Sequence, residues 1–133
     1  MDTLSAIPIR EPWIDLILHG VKTWEIRSKF TKKIGPVGLI RVGSKTVVAT
    51  ATLSEVILLT PKLAYENQDK MGYEGMPKKA AADFAGNYAW VLKDIVPLKT
   101  PVPYIHKSQV VWVTLDEPTT KKVLEEAKRS RKK

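Results

Sequence analysis

The spacing of apolar residues near the start of the chain is helical. In the segment EPWIDLILHG, Trp13, Leu16 and Ile17 fall on one face at the period of an α-helix. Pro12 suits the first turn of a helix, and Gly20 can end one. The pattern therefore predicts a short amphipathic helix.

The segments that follow have the period-two alternation or the β-branched content of strands. KTWEIR alternates, whereas VGLIRVG and KTVVATATLSEVILL are rich in β-branched residues. YAWVLKDIVPL and QVVWVTL predict two further strands. Between these two, Pro101 and Pro103 predict an extended path outside the hydrogen-bonded ladder.

Two segments interrupt or follow this β pattern. Residues 62–86 mix turn glycines with an alanine-rich helical piece around residues 78–84, and three large side chains there could cover a cleft or simply pack: Tyr65, Tyr73 and Met76. The polar end of the chain predicts a frayed helix over residues 120–128. Five or six short strands, an N-terminal helix and a helical insertion together predict a mixed, mainly β fold, a small closed or nearly closed β-barrel. A parallel α/β fold is disfavoured because helices and strands do not alternate regularly.

The charge is unevenly distributed. The chain has 133 residues and a formal net charge of +8, and residues 119–133 contain seven Lys or Arg against two Glu. We therefore expect one domain over residues 1–118 and a basic tail, partly helical or disordered, over residues 119–133. Clustered cations suit a polyanionic partner, although a solvated end would have the same composition.

Composition also excludes several classes of site. The chain has no cysteine, which excludes disulfides, thiolate metal sites and thiol catalysis. With only two histidines and no P-loop, dinucleotide or zinc motif, we expect neither a metal nor a cofactor. No apolar run approaches the ~20 residues of a membrane span, and the first residues lack the layout of a signal peptide. We therefore expect a cytoplasmic protein without a membrane partner.

The segment GVKTWEIRS concentrates the candidate chemistry. If it is a strand, Trp24 and Ile26 point into the core. Thr23, Glu25 and Arg27 lie on the opposite face, and Lys22 stands at the start of the strand. A carboxylate between two cations keeps its charge and holds both in place. Such a cluster could bind a polar heterocycle or a phosphate. Alternatively, Glu25 and Arg27 form an exposed salt bridge of little energetic value.

Two other places could contribute to a site. Trp13 lies beside Arg10 at the start of the predicted helix, where it could stack on a base for about 1–3 kcal/mol; the other three tryptophans are expected in the core. The segment PYIHKSQVVW places several polar side chains just before a strand: Tyr104, His106, Lys107, Ser108 and Gln109. His106 could act as a base, but Ser108 has no triad partner at a suitable spacing.

Three motifs in order resemble the ASCH domain family: IPIREPWIDLILHGVKTWEIRS, VVATATLSEV and GNYAWVLKDIVPLKTPVPYIHKSQVVWVTL. The likeness covers residues 7–115. It implies a PUA-like β-barrel that binds RNA or nucleosides in a cleft beside the first helix. The family's lysine maps to Lys22, with Glu25 and Arg27 on the following strand.

The resemblance also bears on catalysis. Some small family members are amidohydrolases that remove acetyl from acetylated cytidine, and others are reported as ribonucleases. The amidohydrolase pattern is Lys-Thr-x-Thr-x-Arg, and Glu25 stands here in place of the second threonine. If that hydroxyl is the nucleophile, this chain lacks it unless Thr23 serves instead. The Arg-Glu-Pro-Trp motif also resembles the larger, coactivator-like branch, which weighs against the known hydrolase chemistry and leaves another hydrolysis open.

Three functions follow as hypotheses. The first is a binding module for single-stranded RNA or a modified nucleoside, with DNA as an alternative ligand, and its expected contact residues are Arg10, Trp13, Lys22, Glu25, Arg27, Ser28, Tyr104, Lys107 and Ser108. The second is a hydrolase of acetylated cytidine or RNA, in which Lys22 is the base and Thr23 and Glu25 assist. The third is a protein-interaction adaptor.

Overall fold

In the residues that the structure describes, six strands form one mixed sheet that curls into a half-barrel. The structure is a computed structural model that describes residues 3–105 and 111–131. Its strands are β1 Ser5–Ile9, β2 Trp24–Arg27, β3 Gly35–Arg41, β4 Thr46–Leu58, β5 Tyr88–Pro103 and β6 Val113–Thr114. They are ordered β2-β5-β4-β3-β1-β6; β1 and β3 are parallel, and the other neighbours are antiparallel. The expected mainly β, barrel-like fold is confirmed.

The structure differs from the sequence pattern in its first and fifth strands. The pattern did not identify β1, a short strand that contains Pro8. The prediction that Pro101 and Pro103 leave the ladder is wrong, because β5 continues to Pro103 and pairs there with Thr46 of β4. At this end β2 no longer flanks β5, because β2 pairs only with residues 88–91. A proline, which has no N–H to donate, is tolerated where its nitrogen faces this unpaired side of the strand.

The described part of the chain also contains four α-helices: α1 Trp13–Leu18, α2 Pro61–Glu66, α3 Lys78–Ala81 and α4 Glu117–Arg131. Helix α1 buries Ile14 and Ile17 against a core that includes Trp90 and Leu92 of β5. A 3₁₀ turn, Ala82–Phe84, follows α3, so residues 78–84 are helical as predicted. In the described part of the chain, no helix is both long and apolar enough to cross a bilayer.

Helix α4 is longer than the predicted frayed helix and packs against β5. It buries Val123 and Ala127 in a cluster with apolar residues of β1, β5 and β6. The Leu4 N–H donates to the buried Thr120 hydroxyl at 3.0 Å, which joins α4 to the residue that directly precedes β1. Helix α4 is therefore attached to the sheet through one face, and its Lys and Arg side chains are exposed.

The segment between β4 and β5 is anchored to β2. The Lys70 carbonyl accepts hydrogen bonds from the N–H groups of Thr23 and Trp24, both at 2.9 Å. Met71 is buried with Trp24 in a cluster that also includes residues of α2 and α3. The insertion therefore extends the sheet's apolar packing beyond its edge strand.

Candidate functional site

Strand β2 separates apolar and polar side chains as its alternation predicts. Trp24 is buried and Ile26 half-buried against the insertion. Glu25 and Arg27 lie on the opposite face, where their neighbours across the strand pair are Trp90 and Tyr88. The strand thus presents a carboxylate and a guanidinium together from a rigid backbone.

Lys22 is buried, with 2% of its surface exposed. Its Nζ donates to the carbonyls of Trp24 at 2.6 Å and Met71 at 3.0 Å, and lies 3.8 Å from Glu25 Oε1. Burial removes water from the ammonium group and lowers the pKa of Lys22 to about 8; Glu25 opposes this shift, and the charge of Arg27 adds to it. Lys22 is thus a buried lysine whose pKa lies close to neutral pH.

Arg27 completes the charged cluster. Its Nε donates to Glu25 Oε2 at 3.0 Å, and its Nη2 donates to the Pro8 carbonyl at 2.6 Å. The guanidinium lies 5.5 Å from the centre of the Trp90 ring, which stacks on Trp112 at 5.4 Å. Because Glu25 is only 7% exposed, the alternative of an exposed surface pair does not describe this contact.

Two adjacent hollows meet at this cluster and share Trp13, Glu25 and Arg27 as lining residues. The first hollow, of about 480 Å³, is also lined by Pro8, Arg10, Val42 and Val111. The second hollow, of about 290 Å³, is also lined by Lys22, Ile26, Ser28, Tyr73, Phe84 and Asn87. The acid and the bases therefore converge on a concave surface.

The open edge of β2 also lines the second hollow. The Trp24 N–H donates to Lys70 and its carbonyl accepts from Lys22, so both groups point away from β5. Alternate residues of a strand direct their peptide groups to the same side, so the N–H and C=O of Ile26 point away from β5 as well. Sequence reasoning missed this, because it treated Ile26 only as a core side chain.

Aromatic residues of the insertion form a wall with α1. The rings of Trp13 and Tyr73 are 5.1 Å apart, and Tyr73 lies 5.6 Å from Phe84. Gly72, next to Tyr73, has a φ of +91°, and a Cβ there would lie 3.1 Å from Leu16 Cδ1. Of the three large side chains proposed to cover the cleft, Tyr73 lines it; the others pack elsewhere, Met76 in the insertion cluster and Tyr65 beside Lys78.

The remaining predicted residues are not all at this site. Arg10 and Ser28 are exposed and line the first and second hollow, respectively. Thr23 lines neither hollow; it lines another depression, of about 640 Å³, together with Lys70 and Gly72. Tyr104 packs in the cluster beneath α4, lines neither hollow, and has its pKa raised by burial. The predicted residues His106, Lys107, Ser108 and Gln109 lie outside the described residues.

An ion-pair network that the sequence did not indicate fixes α1 against β3. Arg41 Nη1 donates to Glu11 at 3.1 Å, and Nη2 donates to Asp15 at 2.8 Å. The hydrogen bond from Arg41 lowers the pKa of Asp15. Among residues 3–105 and 111–131, no three His, Asp or Glu side chains come together as metal ligands.

Comparisons with known proteins agree with the resemblance. The family model of the ASCH domain matches residues 7–101. Among solved structures, ASCH from Zymomonas mobilis superimposes with a TM-score of 0.68 at 15% identity, over 91% of this chain and 93% of that one. A tyrosine-to-phenylalanine mutant of the same protein, ZmASCH, superimposes with a TM-score of 0.67 at 16% identity, over 91% of this chain and 96% of that one. Its serine-to-alanine mutant superimposes with a TM-score of 0.66 at 16% identity, over 91% of this chain and 94% of that one.

No curated protein matches the sequence significantly. At such identities the likeness to the solved structures concerns the fold alone, whereas the family model spans most of the chain, including β2 and its polar cluster. The chain therefore belongs to the ASCH domain family, whose PUA-like fold is generally linked to RNA binding.

Proposed function

We propose that the protein binds single-stranded RNA or a modified nucleoside and holds one base in the hollows along β2. The observation that carries this proposal is the buried Glu25 carboxylate, held between Lys22 and Arg27 where the two hollows meet. Its ion pairs with two cations hold the carboxylate oxygens, which are hydrogen-bond acceptors, at a fixed position. It is suited to a ligand that brings N–H donors into the site.

Base edges carry such donors. A carboxylate accepts from the exocyclic amino group of cytosine, and RNA-binding proteins read unstacked bases through these edges. The outward N–H and C=O of Ile26 add one donor and one acceptor beside Glu25. Glu25 and the peptide groups of Ile26 therefore offer both hydrogen-bond donors and acceptors to a planar heterocycle, which a purely apolar pocket would not.

The surroundings suit the other parts of a nucleotide. The Trp13 ring borders both hollows and offers an aromatic surface for a base. Arg10 is exposed at the first hollow, where a guanidinium can bind a phosphate through two parallel hydrogen bonds. The exposed cations of α4 add affinity for any polyanion.

The test compares Glu25→Gln, which keeps the size of the side chain and removes its charge, with Glu55→Gln on an exposed position of β4. Cytidine, acetylated cytidine and a short RNA are titrated into each protein, and product formation is followed in the same samples. We expect Glu25→Gln to bind about 10- to 150-fold more weakly, since hydrogen bonds to charged groups contribute about 1.5–3 kcal/mol. Equal affinities of the two folded variants would remove Glu25 from the site.

Turnover is a second candidate, because the lowered pKa of Lys22 provides a neutral amine at mildly basic pH. When neutral, the amine can donate both hydrogens to the Trp24 and Met71 carbonyls and retain a lone pair to accept a proton from water. Lys22→Ala is expected to abolish any hydrolysis of acetylated cytidine or RNA, measured at saturating substrate so that weaker binding does not mask the effect on turnover. Unchanged turnover in a folded Lys22→Ala protein would exclude Lys22 as the base.

A further inference from the structure

The loop after β2 continues the candidate site beyond the hollows. Ser28, which lines the second hollow, leads into residues 29–33 (KFTKK), here called the basic loop. The indole Nε1 of Trp90 donates to the Lys29 carbonyl at 3.0 Å. Thr31 is buried, and its hydroxyl accepts a backbone N–H of the same loop at 3.2 Å. The loop backbone is therefore anchored by Trp90 at Lys29, and the Thr31 hydroxyl orders it from within.

Phe30 is the aromatic residue of this loop and is 56% exposed. Its ring contacts Tyr88 edge to face, with 5.8 Å between centroids and 67° between planes. Tyr88 lies opposite Arg27 across β2 and β5, and its neighbour Asn87 lines the second hollow. The Phe30 ring is thus held beside the hollow with much of its surface in solvent, where it can stack on a further base.

All the charged residues near Phe30 in the sequence are basic. Residues 26–54 contain six Lys or Arg and no Asp or Glu. Within the basic loop, Lys29 and Lys32 are exposed, and the Nζ of Lys33 lies 5.7 Å over the Trp112 ring. Aromatic and cationic side chains placed side by side are the combination that binds single strands, through stacking on bases and contacts with phosphates.

We propose that the basic loop binds the nucleotide next to the one held in the hollows. Phe30 stacks on the flanking base, and Lys29 and Lys32 contact phosphates. This inference rests on the proposed function and narrows its ligand to an RNA strand, because a free nucleoside would fill the hollows and leave the loop unoccupied.

The test titrates octanucleotides of cytidine, adenosine and uridine, and the matching free nucleosides, into wild type and Phe30→Ala. Ile34→Ala is the matched control, since Ile34 is 55% exposed and not aromatic. We expect Phe30→Ala to weaken octanucleotide binding about 5- to 150-fold and to leave nucleoside binding unchanged. Ile34→Ala should alter neither, and Phe30→Trp should retain the affinity for octanucleotides.

The phosphate contacts are tested by salt dependence between about 50 and 200 mM. The double variant Lys29→Ala/Lys32→Ala should lower the slope of log affinity against log salt by about 1.4, at about 0.7 per phosphate contact on a single strand. Lys93→Ala/Lys99→Ala, on exposed positions of β5, is the control pair and should change the slope less.

The outcomes separate the two proposals. The loop proposal is overturned if the wild type binds octanucleotides no more tightly than nucleosides, or if the Phe30 and lysine variants bind them as the wild type does. In that case, loss of nucleoside binding in Glu25→Gln would still support the hollow. Conversely, if Glu25→Gln binds nucleosides normally while Phe30→Ala weakens octanucleotide binding, the loop remains a binding surface and the assignment of the hollow fails.

Discussion

Because Lys22 is buried, the stability of the protein should rise with pH above pH 8. A surface lysine in an ion pair has the opposite effect, since its raised pKa makes stability fall at high pH. The pKa of Lys22 falls from 10.5 to about 8 on folding. Since one unit of pKa corresponds to about 1.4 kcal/mol, folding with Lys22 charged costs about 3 kcal/mol more than folding with it neutral. Between pH 8 and 10.5 the unfolded chain holds more protons than the folded one, so the free energy of unfolding rises with pH across this window.

The perturbation is Lys22→Met, which keeps a long side chain and removes the titrating group. Urea unfolding of both proteins is followed from about pH 7 to about pH 9.5. The upper limit avoids the tyrosines, because burial raises the pKa of Tyr73 and Tyr104 above 10.0, and groups with a raised pKa reduce stability only at higher pH. Wild type should gain about 2 kcal/mol relative to the variant over this range, at about 1.4 kcal/mol per pH unit above pH 8.

Loss of the two hydrogen bonds from Lys22 changes the absolute stability of the variant but not its pH dependence. The difference between the two curves therefore isolates the titration. Parallel curves above pH 8 would show that Lys22 keeps its ordinary pKa, and the reasoning from burial would then be refuted, together with the case for Lys22 as a base.

Two further predictions concern the packing that supports the site. Gly72→Ala should lower the free energy of unfolding by about 1–3 kcal/mol, because the residue has a positive φ and its new Cβ would crowd Leu16; a urea midpoint equal to that of wild type would contradict this. Thr120→Val should cost about 1–3 kcal/mol by leaving the Leu4 N–H buried without an acceptor, whereas Thr114→Val, on an exposed position, should be nearly neutral; equal urea midpoints of these two variants would count against this anchor of α4.

The sequence predicted those contacts of the candidate site that are made by residues close together in the chain. Period-two alternation in β2 placed Glu25 and Arg27 on one face, and the helical period placed Trp13 at the start of α1. Both patterns depend only on residues that are close in the sequence, so the structure follows them unless tertiary packing overrides the local preference. The same reasoning predicted the helical stretch after residue 77.

What it missed depends on contacts between distant residues. The Lys22–Met71 hydrogen bond joins residues 49 positions apart, and no periodicity reports such a pairing. Tyr73 was recognised only as a side chain that could cover a cleft, since its position depends on the turn at Gly72. Tyr104 was expected at the cleft because it precedes a strand, but β5 carries it under α4 instead. The prolines of β5 were misjudged because their effect depends on which side of the strand is unpaired.

The walls of the hollows come from separate parts of the chain: the start of α1, β2, and the turn before α3. The unfolded chain does not hold these parts together, so a molecule that fits the hollows binds only the native state and stabilises it by mass action. At a hundredfold excess over its dissociation constant, such a molecule contributes about 2.7 kcal/mol, enough to raise the melting temperature by several degrees in a domain of this size. A library of nucleosides and short oligonucleotides can therefore be ranked by melting temperature alone, before any activity is known.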